Sequence, residues 1–261
     1  MATGEVILVG LIGLAAGLLG GLAGIGGSLV MLPALAALNP DDSAHHLHMA
    51  AAMAVNVFVA VPATLRHHKA GAIRRDLVRT LLPVMSIAII AGVLVSNLLE
   101  GRSLKMLLAI FIAAYCLNNL LHLARRTPEH DGDGERVSRL RLALIGGFVG
   151  MVAGLLGIGG GVLMVPLLQV VCRIRLRHAI AASAAVMCLT ATVGATMKVA
   201  TLPHLGQSPL DAMWLVLAMG PAAVLGATVG AMLTHALPVR IVRLAVSLLL
   251  LVAAARLAGL F

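Results

Sequence analysis

Long apolar runs alternate with short polar segments along the chain, and this pattern predicts a bundle of membrane-spanning helices. Most runs are close to the roughly 20 residues that a helix needs to cross a bilayer. The first and fifth continue for about 30 residues, or about 45 Å at 1.5 Å per residue, which is too long for one ordinary span. The eight runs are residues 6–38, 49–65, 77–99, 104–123, 142–171, 179–197, 212–236 and 241–260.

The two long runs contain related glycine-rich segments. Residues 17–35 read GLLGGLAGIGGSLVMLPAL, residues 150–168 read GMVAGLLGIGGGVLMVPLL, and ten of the nineteen aligned positions are identical. A repeat with so long a period indicates two similar halves, and a glycine cluster inside an apolar run marks a place where a helix would break. We therefore expect an N-terminal repeat at 1–124, a polar linker at 125–140 and a C-terminal repeat at 141–261.

The distribution of Lys and Arg distinguishes two topologies. If each long run is a single crossing, twelve of the nineteen basic residues lie inside and seven outside. If each long run enters and leaves on the same side, fifteen lie inside and four outside, which fits the positive-inside rule better. The second arrangement makes the halves inverted copies of each other, as in many secondary transporters.

The predicted fold is an all-α polytopic membrane protein with two homologous halves arranged as an inverted repeat. Each half is expected to contain a glycine-broken helix, either re-entrant or a pair of short helices, and three full transmembrane helices. Composition agrees, because 61% of the residues are hydrophobic, 11% are charged and the mean hydropathy is +1.05. No soluble domain of this size could bury so much apolar surface. The net charge of +9 is explained by loops retained inside the cell, and no nucleic-acid partner is expected.

The glycine segments are the candidate binding site. A half-helix that starts at such a break carries partial positive charge and free N–H donors at its N-terminus. Two such ends that face each other at the midplane would bind an anion. Small residues that only allow close helix packing are the structural alternative. The candidate substrate-binding residues are Gly24, Gly26, Gly27, Ser28, Gly157, Gly159, Gly160 and Gly161, with Asn56 and Ser183 in the spans that follow.

Absent motifs narrow the function further. Neither glycine segment completes a dinucleotide fingerprint or continues into the Lys-Ser/Thr of a P-loop. Every Asp and Glu falls in a loop or at a span end, so no intramembrane carboxylate is available for proton or cation coupling. An anion, by contrast, lowers its free energy when it leaves a cell whose interior is negative, by about 2.3 kcal/mol per charge per 100 mV of membrane potential. We expect a transporter and not an enzyme, with no catalytic residues, no metal site and no cofactor.

A second function class stays open on the histidines. His45, His46 and His48 form one cluster, and His67 and His68 form another, beside predicted loops. Imidazole is a common ligand of transition metals. A metal-ion or thiol-compound permease that uses these loop histidines is therefore the alternative to an anion carrier.

The paired segments GLAGIGGSLVMLPAL and GLLGIGGGVLMVPLL resemble the sulfite exporter TauE/SafE family of membrane transport proteins. The resemblance covers essentially the whole chain. It implies a multi-pass protein of the bacterial inner (plasma) membrane that exports sulfite, an organosulfonate or a related sulfur-containing oxyanion. Its partners would be that small anion and the lipid bilayer, and a homodimer is compatible with the sequence. In the family, each glycine segment is followed by a span that opens with small residues and a Ser, Thr or Asn. Residues 181–183 match this pattern in the second half. In the first half Ser28 replaces a third glycine, and only Asn56 offers a polar group in the span that follows.

Overall fold

The computed structural model describes residues 3–23, 26–124 and 134–233, together with 247, 250, 251, 254 and 255. These residues form helices joined by short connections, and a short 3₁₀ turn at Leu202–Leu205 precedes the last long helix. The helices are α1 Thr3–Ala23, α2 Ser28–Leu38, α3 His45–Lys69, α4 Arg75–Ser96, α5 Gly101–Ala124, α6 Arg139–Leu156, α7 Gly161–Cys172, α8 Leu176–Thr201 and α9 Pro209–Leu233.

Seven of the described helices are long and apolar enough to cross a membrane, namely α1, α3, α4, α5, α6, α8 and α9. In lipid every backbone N–H and C=O must be satisfied within the protein, and a continuous helix does this along its own length. The two shorter apolar helices, α2 and α7, have 11 and 12 residues. The prediction of an all-helical, multi-pass membrane protein is confirmed. Residues 125–133 of the predicted linker and most of the eighth apolar run lie outside the described residues.

The helix bundle has two ends of opposite charge. At the end we call acidic, Glu5 and Asp211 line one cavity of about 1010 Å³ together with Asn39. Asp41 and Asp42 follow Asn39 within three residues and so lie at the same end. Glu100 lies there too, because Lys105, five residues further along the chain, donates from Nζ to Asp42 Oδ1 at 2.8 Å. The opposite, basic end carries the connections α3–α4 and α7–α8 and the start of α6. Its basic residues are Arg66, Lys69, Arg74, Arg75, Arg79, Arg136, Arg139, Arg141, Arg173, Arg175 and Arg177.

Polar contacts fix the connections at both ends. Lys105 Nζ also donates to the carbonyl oxygens of Pro40 and Asp41, at 2.8 and 3.2 Å. The hydroxyl of Ser43 donates to Asp41 Oδ2 at 2.7 Å, and this hydrogen bond lowers the pKa of the Asp41 carboxyl. At the basic end, Arg74 contacts Asp76 and Glu135, each at 2.6 Å, and the hydrogen bond to Asp76 is the main reason that the pKa of its guanidinium is raised. These contacts tie the helix starts to neighbouring connections.

Two short helices run back alongside the long helices that precede them. Gly27, just before α2, lies against Ala16 in α1, and Val9 of α1 lines the same cavity as Leu38 at the end of α2. In the second half the N–H of Arg136, just before α6, donates at 2.9 Å to the carbonyl of Cys172, the last residue of α7. Both short helices therefore begin inside the bundle and end near the start of the preceding helix.

Glycines bring two helix pairs into backbone contact. A Cβ on Gly17 of α1 would overlap the carbonyl oxygen of Ala223 in α9, and a Cβ on Gly150 of α6 would lie 2.7 Å from that of Met85 in α4. The same pattern recurs one turn on, at Gly21 in α1 and at Gly154 in α6. Small residues allow such close packing where lipid supplies no hydrophobic driving force between helices. We call these pairs the α1–α9 seam and the α4–α6 seam.

Helices α3 and α8 pack together at the centre in opposite directions. Lys198, near the end of α8, contacts His46, in the first turn of α3, with 2.9 Å between Nζ and Nδ1. At the other end His178 Nδ1 lies 2.8 Å from the carbonyl oxygen of Ala72, just after α3. Helix α9 packs on the outer side of α3, and α4 on the outer side of α8. The order across the bundle is therefore α1, α9, α3, α8, α4, α6.

Candidate functional site

The glycine segments of the two halves meet in the middle of the protein. The backbone N–H of Gly159, just before α7, donates to the Oγ of Ser28, the first residue of α2, at 3.0 Å. Ser28 is fully buried, and Gly159 and Gly160 are also buried. The start of one short helix is thus bonded directly to the segment that precedes the other.

Asn56 of α3 lies between the two segments. Its Oδ1 accepts the N–H of Gly27 at 2.9 Å and the N–H of Ser28 at 3.2 Å, both at the N-terminus of α2. Its Nδ2 is buried and has no hydrogen-bond partner among the residues that the structure describes. Asn56 is the twelfth residue of the 25-residue helix α3, about 17 Å from the first at 1.5 Å per residue. It therefore lies near the middle of the span.

Two glycines are required where the segments approach Asn56. Gly26 has a φ of +81°, which L side chains rarely adopt. A Cβ on Gly159 would lie 2.6 Å from Asn56 Nδ2 and 2.9 Å from the sulfur of Met187 in α8. Larger residues would push the segments away from the amide and from each other.

The remaining predicted residues take different places. Gly157 ends α6 with a φ of +70° and packs against Met49, whereas Gly160 packs against Met85. Gly161 is the first residue of α7. Ser183 is fully buried in α8, but within the described part of the chain its Oγ has no hydrogen-bond partner and is not bonded to the group around Asn56. Gly24 lies outside the described residues.

The site presents backbone donors without a formal charge. Three buried N–H groups, those of Gly27, Ser28 and Gly159, are satisfied here by the neutral oxygens of Asn56 and Ser28. Buried donors must have an acceptor, and those at a helix N-terminus favour a negatively charged one. A small anion would suit these N–H donors, because its oxygens would accept the hydrogen bonds that the side-chain oxygens of Asn56 and Ser28 accept here.

Comparison with known proteins decides the family. The sequence model described as "Sulfite exporter TauE/SafE" matches residues 9–257. The chain belongs to this family. The resemblance inferred from the two glycine segments is confirmed.

TauE/SafE relatives of this chain carry transporter names. "Probable membrane transporter protein MamO" of Magnetospirillum gryphiswaldense is 26% identical over 92% of this chain, which spans only 42% of that protein's length. "Probable membrane transporter protein" of Haemophilus influenzae is 32% identical over 62% of each chain. "Probable membrane transporter protein YunE" of Bacillus subtilis is 27% identical over 87% of each. No solved structure matches the chain significantly.

In this TauE/SafE protein the histidines are helical and not in loops. His45, His46 and His48 are buried in the first turn of α3, and His67 and His68 lie in its last turn. Helix α3 simply begins four residues earlier and ends four residues later than the apolar run at 49–65. No group of three His, Cys, Asp or Glu residues in the described part of the chain is placed to hold a metal ion.

Two features of this TauE/SafE protein do not follow from the apolar pattern. Met187 touches both glycine segments, but a methionine in an apolar span carries no signal that separates it from ordinary core. The apolar runs at 179–197 and 212–236 predict a loop at 198–211 that would contain Lys198, whereas Lys198 is fully buried in α8, which continues to Thr201. The sequence does single out Lys198 in one way. It aligns with Arg66 in the repeat at a spacing of 132 positions, and His178 aligns with His46 at the same spacing.

Proposed function

We propose that this protein transports small anions, and that its substrate is sulfite, an organosulfonate or a related sulfur-containing oxyanion. The observation that carries the proposal is the group of buried N–H donors at Gly27, Ser28 and Gly159, held around Asn56 in the middle of the bundle. The family description supports the choice of sulfur oxyanions. The binding residues are those of the two glycine segments and Asn56, with Ser183 as a further candidate.

The halves form an inverted repeat in this proposal. Helices α3 and α8, which occupy equivalent places in the two halves, run antiparallel. The seams also correspond. Gly17 and Gly150 are equivalent glycines of the two segments, and they contact Ala223 and Met85. These two contacted residues are 138 positions apart, which is the same repeat spacing that separates Gly92 from Gly230. A two-fold axis in the membrane plane relates elements in this way. The short helices α2 and α7 are then the returning arms of two glycine-broken hairpins.

The proposed mechanism is alternating access, and the order of the helices across the bundle supports it. One unit consists of α1, α9 and α3, and the other of α6, α4 and α8. A glycine seam joins α1 to α9 in the first unit and α4 to α6 in the second. Asn56 belongs to the first unit and Met187 to the second, so the central site lies at their interface. Rocking of one unit against the other opens the site first to one end and then to the other.

The basic end faces the cytoplasm of a bacterial inner membrane in this proposal, as the positive-inside rule requires. An anion that binds from that end and leaves at the acidic end moves down the membrane potential. Export therefore needs no coupling ion.

Cysteine labelling tests this orientation. In a variant without the native cysteines, Lys69→Cys at the basic end and His204→Cys at the acidic end are both exposed. A membrane-impermeant maleimide added to intact cells with a permeable outer membrane is expected to label His204→Cys and to leave Lys69→Cys unlabelled until the cells are broken. The reverse pattern would contradict export from the basic end.

Flux measurements test the function itself. Purified protein in proteoliposomes is assayed with sulfite, sulfoacetate, sulfate and chloride under an imposed membrane potential. We expect electrogenic flux of sulfite or sulfoacetate that exceeds that of chloride and changes direction with the sign of the potential. Vesicles that carry none of these four anions would refute the proposal.

A further inference from the structure

Lys198 is a buried cation outside the central site. Its side chain is fully buried near the end of α8. Nζ lies 2.9 Å from His46 Nδ1, 2.7 Å from Ser96 Oγ and 2.7 Å from Asn97 Oδ1. Met187, which touches the central site, is eleven residues away on the same helix, or about 17 Å along its axis. The lysine therefore lies well toward the acidic end.

The surroundings of Nζ fit a protonated lysine. The Ser96 hydroxyl donates to the carbonyl of Val93 at 2.7 Å, so its oxygen accepts from Lys198. His46 Nε2 lies 3.1 Å from the carbonyl oxygen of Leu99, which leaves Nδ1 as an acceptor when Nε2 carries the proton. With the Asn97 amide oxygen, three acceptors surround a nitrogen that has three N–H donors only as an ammonium.

This ammonium has no counter-charge among the described residues. No carboxylate oxygen in that part of the chain lies within 4.0 Å of Nζ, and Asp42, at the same end, is paired with Lys105. Glu100 and Asp211 are exposed. A buried charge is costly unless an opposite charge accompanies it. Neutral acceptors satisfy the hydrogen bonds of Lys198 but leave its positive charge uncompensated.

We propose that Lys198 and Asn97 form a second anion-binding station, on the path between the central site and the acidic end. Lys198 supplies the charge. Asn97 is only half-buried, and its Nδ2 makes no hydrogen bond to the described residues, so the amide nitrogen is an available donor next to Lys198. The station also lies at the interface between the two rocking units, because His46 belongs to one unit and Lys198 to the other. Their contact must separate when this end of the protein opens. This inference rests on the proposed anion transport.

The chemistry selects small oxyanions. Lys198 Nζ is a compact point charge, and Asn97 adds a single neutral donor, so a sulfite- or sulfonate-sized group matches the station. The equivalent residue at the other end is Arg66, which is exposed where Lys198 is buried. Of these two equivalent cations, Lys198 is inside the protein and Arg66 is on its surface, so the two ends differ.

The test is the KM for sulfite, measured separately from each end in proteoliposomes of known orientation. Lys198→Gln removes the charge, and Asn97→Asp places a fixed carboxylate beside it. We expect each variant to raise the KM at the acidic end about tenfold, the effect of roughly 1.4 kcal/mol of lost binding. The KM at the basic end should stay within about twofold, a split that a purely structural role would not produce.

Two further variants complete the design. Lys198→Arg keeps the charge and should restore most of the affinity, and Lys69→Gln, an exposed basic-end lysine, should change neither KM. Asn97→Asp keeps the test decisive if Lys198→Gln does not fold, because it gives the buried lysine a partner. Wild-type flux with an unchanged acidic-end KM in Asn97→Asp and in any folded Lys198→Gln protein would overturn this inference alone. Absence of sulfite flux in the wild type would overturn the proposed function together with it.

Discussion

Asn56→Asp is expected to stop sulfite flux while the protein stays folded. The substitution keeps the shape of the side chain, and a carboxylate oxygen accepts the N–H groups of Gly27 and Ser28 at least as well as the amide does. The fixed negative charge then occupies the position of the anion. Two like charges about 4 Å apart repel by about 4 kcal/mol at an effective dielectric constant of about 20, or nearly three powers of ten in affinity.

The measurement is initial sulfite flux in proteoliposomes, paired with thermal unfolding of the detergent-solubilised protein. Asn39→Asp is the matched control, because it adds the same charge to an exposed loop at the acidic end. It should leave flux within about twofold. Wild-type rates in a folded Asn56→Asp protein would show that anions do not bind at the glycine segments.

Gly17→Ala is expected to destabilise the protein severely through the α1–α9 seam. The added methyl group would overlap the backbone of Ala223, which cannot rotate away as a side chain can. Forcing an extra methyl group into a packed interface costs up to about 3 kcal/mol, and backbone atoms leave little room for relief. This loss outweighs the gain of up to about 1 kcal/mol that alanine brings to a helix interior.

Thermal unfolding in detergent measures this cost, with Gly4→Ala as the control. Gly4 is in the same helix and has no atom within 4 Å of the new Cβ, so the alanine should be neutral or stabilising. Gly150→Ala tests the corresponding seam, where the new Cβ would lie 2.7 Å from the carbonyl oxygen of Met85, and it should also destabilise. If Gly17→Ala unfolded at the wild-type temperature, the two helices would not be in backbone contact.

The class of fold could be predicted from the sequence because it depends on local properties. Apolar length predicts spans, and the structure begins α2 at Ser28 and α7 at Gly161, within the glycine segments. The distribution of basic residues likewise separates the two ends without any knowledge of packing. Span limits were less accurate, because polar residues such as His45 and Lys198 continue the helices that the apolar pattern ends.

Contacts between distant residues could not be predicted in the same way. Asn56 is 29 positions from Gly27, and Ser28 is 131 positions from Gly159. Helices that are apolar on nearly every side give no pattern that tells which face meets which neighbour. The repeat therefore predicted which segments are equivalent, but not that Ser28 would join them or that Lys198 would be buried.

The α1–α9 seam also has a consequence for how the protein is made. Helix α1 leaves the ribosome well before its partner α9, which begins at Pro209, 186 residues after Ala23. At about 5–20 residues per second, α1 waits roughly 10–40 s in the bilayer before that partner exists. During this interval its glycine face meets lipid or a biogenesis factor, so assembly of the N-terminal half is completed only after most of the C-terminal half has been inserted.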